Sequence, residues 1–322
     1  MFDESVPDLF LHTVQGFVAG DAQISNISSV QIHGGMAGAA VWRHSIQYTT
    51  AGDVATIQLI TKDAHQHEWH VFQHLQSQQQ PNIPFAYAID TDHAKRLLIC
   101  LQDVGDKTRP TSLEPISETE FAREAIGLAT VHAANFQRHT QLEWLPLMSP
   151  GYVQETLFER YWRPAWETAL AHASFSSTFR DAIPRVEAAA ATIVSDISPL
   201  LRETESQTLI HGDLNPSNVL VYNGNPYFID WETAMRGPFY IDLPHHHCTL
   251  AQAEHYRQAL AAQGHVISRQ DFAERYRAAA RYIGFRYMWW TLSQWRKDQT
   301  QTQWVQHYIG LITGDGIGLS SN

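Results

Sequence analysis

The sequence predicts an α+β chain in two parts, a small antiparallel sheet with one helix followed by a larger, mostly helical region. Three observations carry this prediction. Short apolar runs separated by turn residues fill residues 30–106, helix-period patterns dominate beyond them, and the strand pair at residues 219–229 is joined by Asn-Gly, the strongest short hairpin signal. A length of 322 residues accommodates two domains with sizeable cores.

Residues 8–18 carry a short amphipathic helical pattern. "VQIHGGMAGAAVWRHSIQY" and "VATIQLITK" then read as strand, glycine-rich turn, strand and strand, with "YTTAGD" at 48–53 as a hairpin connection. A helix follows at 65–78, and "FAYAID" and "RLLICLQDVGD" add two strands. The texture changes at 103–108, giving an N-terminal domain at 1–103 and a C-terminal one at 104–322. Ser117 and Glu120 form a capping box ahead of the first long helix, and helical patterns recur at 154–173, 182–198, 250–263, 270–297 and 301–312.

Composition excludes several classes. Charged residues make up 17% and apolar residues 44%, which is a globular rather than a disordered balance. A net charge of −11 argues against nucleic-acid backbone binding and mildly favours a cationic small substrate. The two cysteines, Cys100 and Cys248, have neither disulfide-framework nor zinc-ribbon spacing. There is no apolar run long enough to span a membrane, and the first residues, acidic and broken by Pro7, do not read as a signal peptide, so a cytoplasmic protein is expected.

The chemistry concentrates in "LIHGDLNPSNVLVYNGNPYFIDWE", residues 209–232. The hairpin turn at Asn223-Gly224 returns the chain so that Asn218 and Asp230 stand at matching ends, and Asp213 lies on the loop feeding the first strand. An acid, an amide and a second acid in this order have the spacing of a kinase catalytic loop and its metal-binding acid.

"HGDLNPSNVL" and "FIDWE" resemble the aminoglycoside phosphotransferase and choline kinase-like branch of the protein-kinase-like fold, with HGD where protein kinases have HRD. The resemblance implies a two-lobed fold and transfer of the ATP γ-phosphate to a hydroxyl. Asp213 would be the catalytic residue, accepting or orienting the substrate proton; Asn218 and Asp230 would hold magnesium; and His211 would brace the loop. Extended upstream, it implies a phosphate-covering loop at Gly34, Gly35 and Gly38, a phosphate-contacting Lys62 with Glu68 as ion-pair partner, and a hinge strand at 97–106 with Gln102 beside the adenine. Asp242 would be a structural acid tying its segment to the catalytic loop. Asn215 and Ser217 depart from residues common in relatives.

The acceptor implied is an aminoglycoside-like antibiotic, choline or ethanolamine, homoserine or a sugar-like metabolite; ATP against GTP and oligomeric state stay open. Rival readings are a nucleotide-binding regulator without turnover, a protein Ser/Thr kinase of the same fold, which the lack of a clear APE segment disfavours, and a hydrolase suggested by "HGG", which the lack of GxSxG disfavours. The histidine runs "HQHEWH" at 65–70 and "PHHHCTL" at 244–250 lack HExxH spacing and read as structural, as does His132 within "LATVHA". Tyr282, Phe285, Trp289 and Leu292 share a helical face that reads as core, leaving Trp290 or Trp295, and similarly Tyr161, Trp162 and Trp166, as alternative pocket-lining aromatics; Glu232 reads as a turn residue or a substrate-facing acid.

Overall fold

The computed structural model describes residues 5–18, 20–32, 40–90, 96–109, 116–298 and 301–315. Two compact units divide the chain, Met1–Lys107 with Leu220–Thr233, and Thr108–Val219 with Ala234–Asn322.

In the first unit, α1 (Ser5–Phe17) precedes β1 (Gln23–Ile32), β2 (Val41–Thr50) and β3 (Asp53–His65); α2 (Gln66–Ser77) then leads to β4 (Ala86–Asp90) and β5 (Arg96–Gln102). The five strands form one antiparallel sheet in the order β1-β2-β3-β5-β4. Between β2 and β3 the turn residues Ala51 and Gly52 both have positive φ, 48° and 92°, the primed-turn geometry that matches strand twist. Along β2 burial alternates with period two, so His44, Ile46 and Tyr48 are buried. Ile46 and Tyr48, with Leu59 and Cys100, cluster against Leu9, Phe10 and Val14 of α1. Burying each of those three α1 side chains contributes about 1.5–3 kcal/mol.

The second unit begins its helices at α3 (Glu118–Asn135), where Ser117 Oγ accepts from Glu120 N (3.2 Å) and Glu120 Oε2 accepts from Ser117 N (3.1 Å), the expected capping box. The helical pattern at 154–173 is not one helix. It is α4 (Pro150–Gln154), a π-helical turn over Glu155–Arg160, α5 (Trp162–Leu170) and the start of α6 (Ala173–Thr178). Pro164, the third residue of α5, lacks the N–H that a helix continuing through this point would donate, which fits the restart at Trp162.

Next come α7 (Ile183–Arg202) and β6 (Gln207–Ile210), every residue of which is buried. The hairpin of β7 (Val219–Tyr222) and β8 (Asn225–Phe228) groups with the first unit from Leu220 onward; Asn223 (φ 51°) and Gly224 (φ 76°) make its turn, as the sequence predicts. Strand β9 (Met235–Pro238) pairs antiparallel with β6, and α8 (Leu250–Ala262), α9 (Arg269–Trp295) and α10 (Thr302–Thr313) complete the unit.

Helix α9 is about 40 Å long and is buried on most of its circumference, by residues that include Phe272, Tyr276, Phe285, Met288 and Leu292. Gly284 allows α10 to approach, since a Cβ there would lie 3.0 Å from the Tyr308 carbonyl and 2.8 Å from Ile312 Cγ1. No helix among the described residues is long and apolar enough to cross a membrane.

Candidate active site

The buried strand β6 runs directly into His211-Gly212-Asp213. Asp242 fixes this junction: its Oδ2 accepts from His211 N (2.6 Å) and its Oδ1 from Gly212 N (3.0 Å). The same carboxylate lies 3.2 Å from His132 Nε2, whose Nδ1 is 2.7 Å from the Tyr256 hydroxyl. His132 thus bridges the carboxylate and the tyrosine through its two ring nitrogens. Burial alone would raise the Asp242 carboxyl, but the hydrogen bond from His132 and the neighbouring His211 outweigh it and hold the group below the ordinary range. Asp242 is therefore the structural tie expected of it, and His132 is a packed, buried histidine. Gly212 has φ 77°, a left-handed conformation natural to glycine, which turns the chain into Asp213.

Beyond Asp213, buried Leu214 anchors the loop, and Asn215 Oδ1 accepts from Ser217 N (2.9 Å) to cap a short 3-10 turn over Pro216–Asn218. Asn218 Nδ2 donates to the Asp213 carbonyl (2.8 Å), which ties the amide to the acid's own backbone. Asn218 Oδ1 accepts no hydrogen bond from the described residues. On the side-chain end, Tyr287 of α9 donates its hydroxyl to Asp213 Oδ1 at 2.7 Å. The Tyr287 phenol is pushed well up, by burial first and then by the Asp213 charge, so it is a firm donor.

Within the first unit, Lys62 pairs in register with Val41 of β2 and Ile99 of β5. Its ammonium lies 2.8 Å from Glu68 Oε1 and 2.7 Å from Asp230 Oδ1. Glu68 belongs to the buried stripe of α2, with Val71, Phe72 and Leu75 at helical spacing. Burial pushes the Glu68 carboxyl up to about 7, against the opposing pull of Lys62. Burial would lower Lys62, but the charges of Glu68 and Asp230 prevail and leave it above its usual value. Asp230 has φ 66°, uncommon for a residue with a side chain, and its side chain stays 38% exposed. Its Oδ2 has no hydrogen-bond partner among the described residues.

Each unit thus assembles one group of the predicted residues, Lys62, Glu68 and Asp230 in the first, Asp213 and Asn218 in the second. Gln102 ends β5, with its N–H donated to the Phe85 carbonyl (2.8 Å). Gly34, Gly35 and Gly38 lie outside the described residues.

Sequence reasoning missed Tyr287 and Arg286. The available signal was a cation amid aromatics in "IGFRYMWW", on a helix otherwise read only for its apolar stripe. Of the alternative pocket aromatics, Trp162, Trp166 and Trp295 are core: Trp295 packs on Phe175 and Phe179 and donates to Thr302 Oγ1 (3.0 Å). Trp289, assigned to the core stripe, is only half-buried and stacks on Tyr161, ring centroids 5.1 Å apart. Trp290 and Glu232 are exposed.

Of the histidine runs, His245, His246 and His247 are buried, His246 Nδ1 lying 2.6 Å from Glu124 Oε1. Among the described residues no group of three or more His, Cys, Asp or Glu side chains is arranged to hold a metal.

The model of the phosphotransferase enzyme family matches residues 53–284. No curated protein matches the chain in sequence. Among solved structures, a choline kinase from Cryptosporidium parvum Iowa II superposes with a TM-score of 0.61 at 14% identity, over 98% of this chain and 99% of that one. A putative aminoglycoside phosphotransferase from Ralstonia eutropha JMP134 gives 0.58 at 13% identity, over 97% of each. A spectinomycin phosphotransferase in complex with ADP and spectinomycin gives 0.56 at 12%, over 89% and 88%. These likenesses establish a shared fold. The family match covers well over half of the chain, from the start of β3 to the middle of α9, and on that ground the chain belongs to the phosphotransferase enzyme family.

Proposed function

We propose that this small-molecule kinase moves the γ-phosphate of ATP to a hydroxyl of its acceptor, with magnesium as cofactor. The observation that carries the reading is Lys62 held between a buried Glu68 and an accessible Asp230. A lysine fixed in this way presents a positioned charge to the nucleotide's α- and β-phosphates, with Glu68 orienting it. The spectinomycin phosphotransferase structure holds ADP, which supports the nucleotide assignment.

Asn218 Oδ1 and Asp230 Oδ2 are hard oxygen donors not engaged elsewhere among the described residues, a donor set that suits magnesium completed by phosphate oxygens. Bound there, the ion would neutralise charge on the phosphates. Asp213 orients the acceptor hydroxyl and takes its proton as the oxygen bonds to the γ-phosphorus. The bond from that phosphorus to the β,γ-bridging oxygen breaks, and ADP leaves with its electron pair. Tyr287 holds Oδ1 of Asp213 and Asn215 Nδ2 lies 3.4 Å from Oδ2, contacts that fix the carboxylate that would take the proton. Gly34, Gly35 and Gly38 would cover the phosphates, and Gln102 would stand beside the adenine.

The test is acceptor-dependent release of ADP by the purified chain across amines, amino alcohols, sugars and antibiotics. We expect turnover that Asp213→Asn lowers by at least about 1000-fold and that EDTA abolishes. Wild-type turnover in Asp213→Asn would overturn the base assignment, and nucleotide binding without acceptor-dependent ADP release would assign a regulator instead.

A further inference from the structure

The net charge of −11 points toward a cationic acceptor, but the surroundings of Asp213 carry an unpaired cation. Arg286 sits in the middle of α9, next in sequence to Tyr287, which holds Asp213. Its guanidinium carbon lies 4.8 Å from the Tyr161 ring centroid and 5.7 Å from that of Tyr287. Arginine keeps its charge in proteins, so burial cannot be relieved by loss of a proton. Yet Arg286 forms no ion pair and donates no hydrogen bond among the described residues.

Three nearby arginines are engaged: Arg160 pairs with Glu155, Arg163 with Glu187 at 3.0 Å, and Arg281 with Asp196. The Asp213 charge reaches Arg286, but Asp213 makes no ion pair with it. Aromatic faces stabilise the guanidinium and do not occupy its N–H edge, which has the fork geometry that matches two oxygens of a carboxylate or phosphate. Beside it, Trp289 stacks on Tyr161 and supplies an apolar wall for the body of an organic molecule.

We infer that Arg286 is a specificity-determining residue that binds an anionic oxygen group, a carboxylate or phosphate, carried by the acceptor, so that the substrate is a hydroxylated acid. This rests on the phosphotransfer reading. In an acidic protein such a ligand is repelled at long range, and a local arginine with its donors unengaged is what recognition requires. The γ-phosphate of ATP offers the same chemistry from another source, but the aromatic wall beside Arg286 favours the organic acceptor.

The test compares matched hydroxyl compounds, gluconate with sorbitol and glycerate with glycerol, alongside choline, ethanolamine and kanamycin. ADP release is measured with ATP and magnesium, and thermal stabilisation is measured with each compound alone, in wild type, Arg286→Gln and the charge-preserving Arg286→Lys. We expect a carboxylated compound to be the best acceptor. Its KM should rise about 10- to 100-fold in Arg286→Gln and less in Arg286→Lys, with the KM for ATP and the ligand-free melting temperature unchanged.

A neutral or cationic best acceptor, or a variant that moves only the KM for ATP, overturns the inference and leaves phosphotransfer standing. If no compound elicits ADP release, the phosphotransfer reading falls. Arg286 then stands on whether carboxylates stabilise wild type and not Arg286→Gln, and it falls too if they do not.

Discussion

Replacing Asp242 by Asn isolates the contact that positions the HGD loop. The wild-type carboxylate accepts three hydrogen bonds, from His211 N (2.6 Å), Gly212 N (3.0 Å) and His132 Nε2 (3.2 Å). An asparagine of the same shape keeps one acceptor oxygen and turns an NH2 toward a backbone N–H. One charge-assisted bond is lost and one buried donor is left unmet, a cost of about 3 kcal/mol. For a domain of about 150–250 residues this lowers the melting temperature by roughly 6–12 °C.

Circular dichroism melts of both proteins at pH 7 measure that difference, and a pH series adds the sign. The Asp242 carboxyl is held below the ordinary aspartate value of 3.8, so its contribution is fully present above that value and is lost as pH falls through the folded value. A protonated Asp242, with one O–H among donors, resembles the asparagine, and the gap between the two proteins should close in strong acid. A variant melting within about 2 °C of wild type at pH 7, or a gap that widens in acid, would refute the reasoning.

Gly284→Ala adds a methyl 3.0 Å from the Tyr308 carbonyl and forces α10 away from α9. After the gain in helix propensity, the net destabilisation should be about 1–2 kcal/mol, read as a lower urea midpoint with an unchanged slope. Glu68, raised to about 7 by burial, retains its proton in the folded state after the unfolded chain loses it at 4.5. Its stabilising contribution is therefore full below 4.5 and declines as pH rises to 7. Glu68→Gln should remove that decline, on the order of 3 kcal/mol at most, which difference melts across pH 4.5–8 would reveal. Tyr287→Phe removes the hydroxyl that holds Asp213 Oδ1, so kcat should fall about 10-fold with the KM for ATP unchanged; an unchanged kcat would show that this contact does not position Asp213 for the reaction.

What the sequence determined by itself is what short stretches of chain decide. Asn223-Gly224 makes its hairpin because both residues adopt positive φ, Ser117 and Glu120 cap α3 across three residues, and Glu68, Val71, Phe72 and Leu75 share a face through helical periodicity. HGD and the spaced Asn218 and Asp230 were legible because resemblance preserves order along the chain. The break at Tyr161 is hidden in a helical pattern, because apolar spacing does not register Pro164, which lies in the first turn of the helix that restarts there.

Tertiary structure alone decided which side chains meet. Tyr287 reaches Asp213 across 74 residues, Asp242 reaches His211 across 31, and Lys62 reaches Asp230 across 168. No local periodicity encodes such pairs, since they depend on how whole elements pack and on which buried polar groups are left needing a partner. The same packing set Arg286 against two tyrosine rings, a placement that the surrounding run of aromatics signals only loosely and that periodicity does not fix.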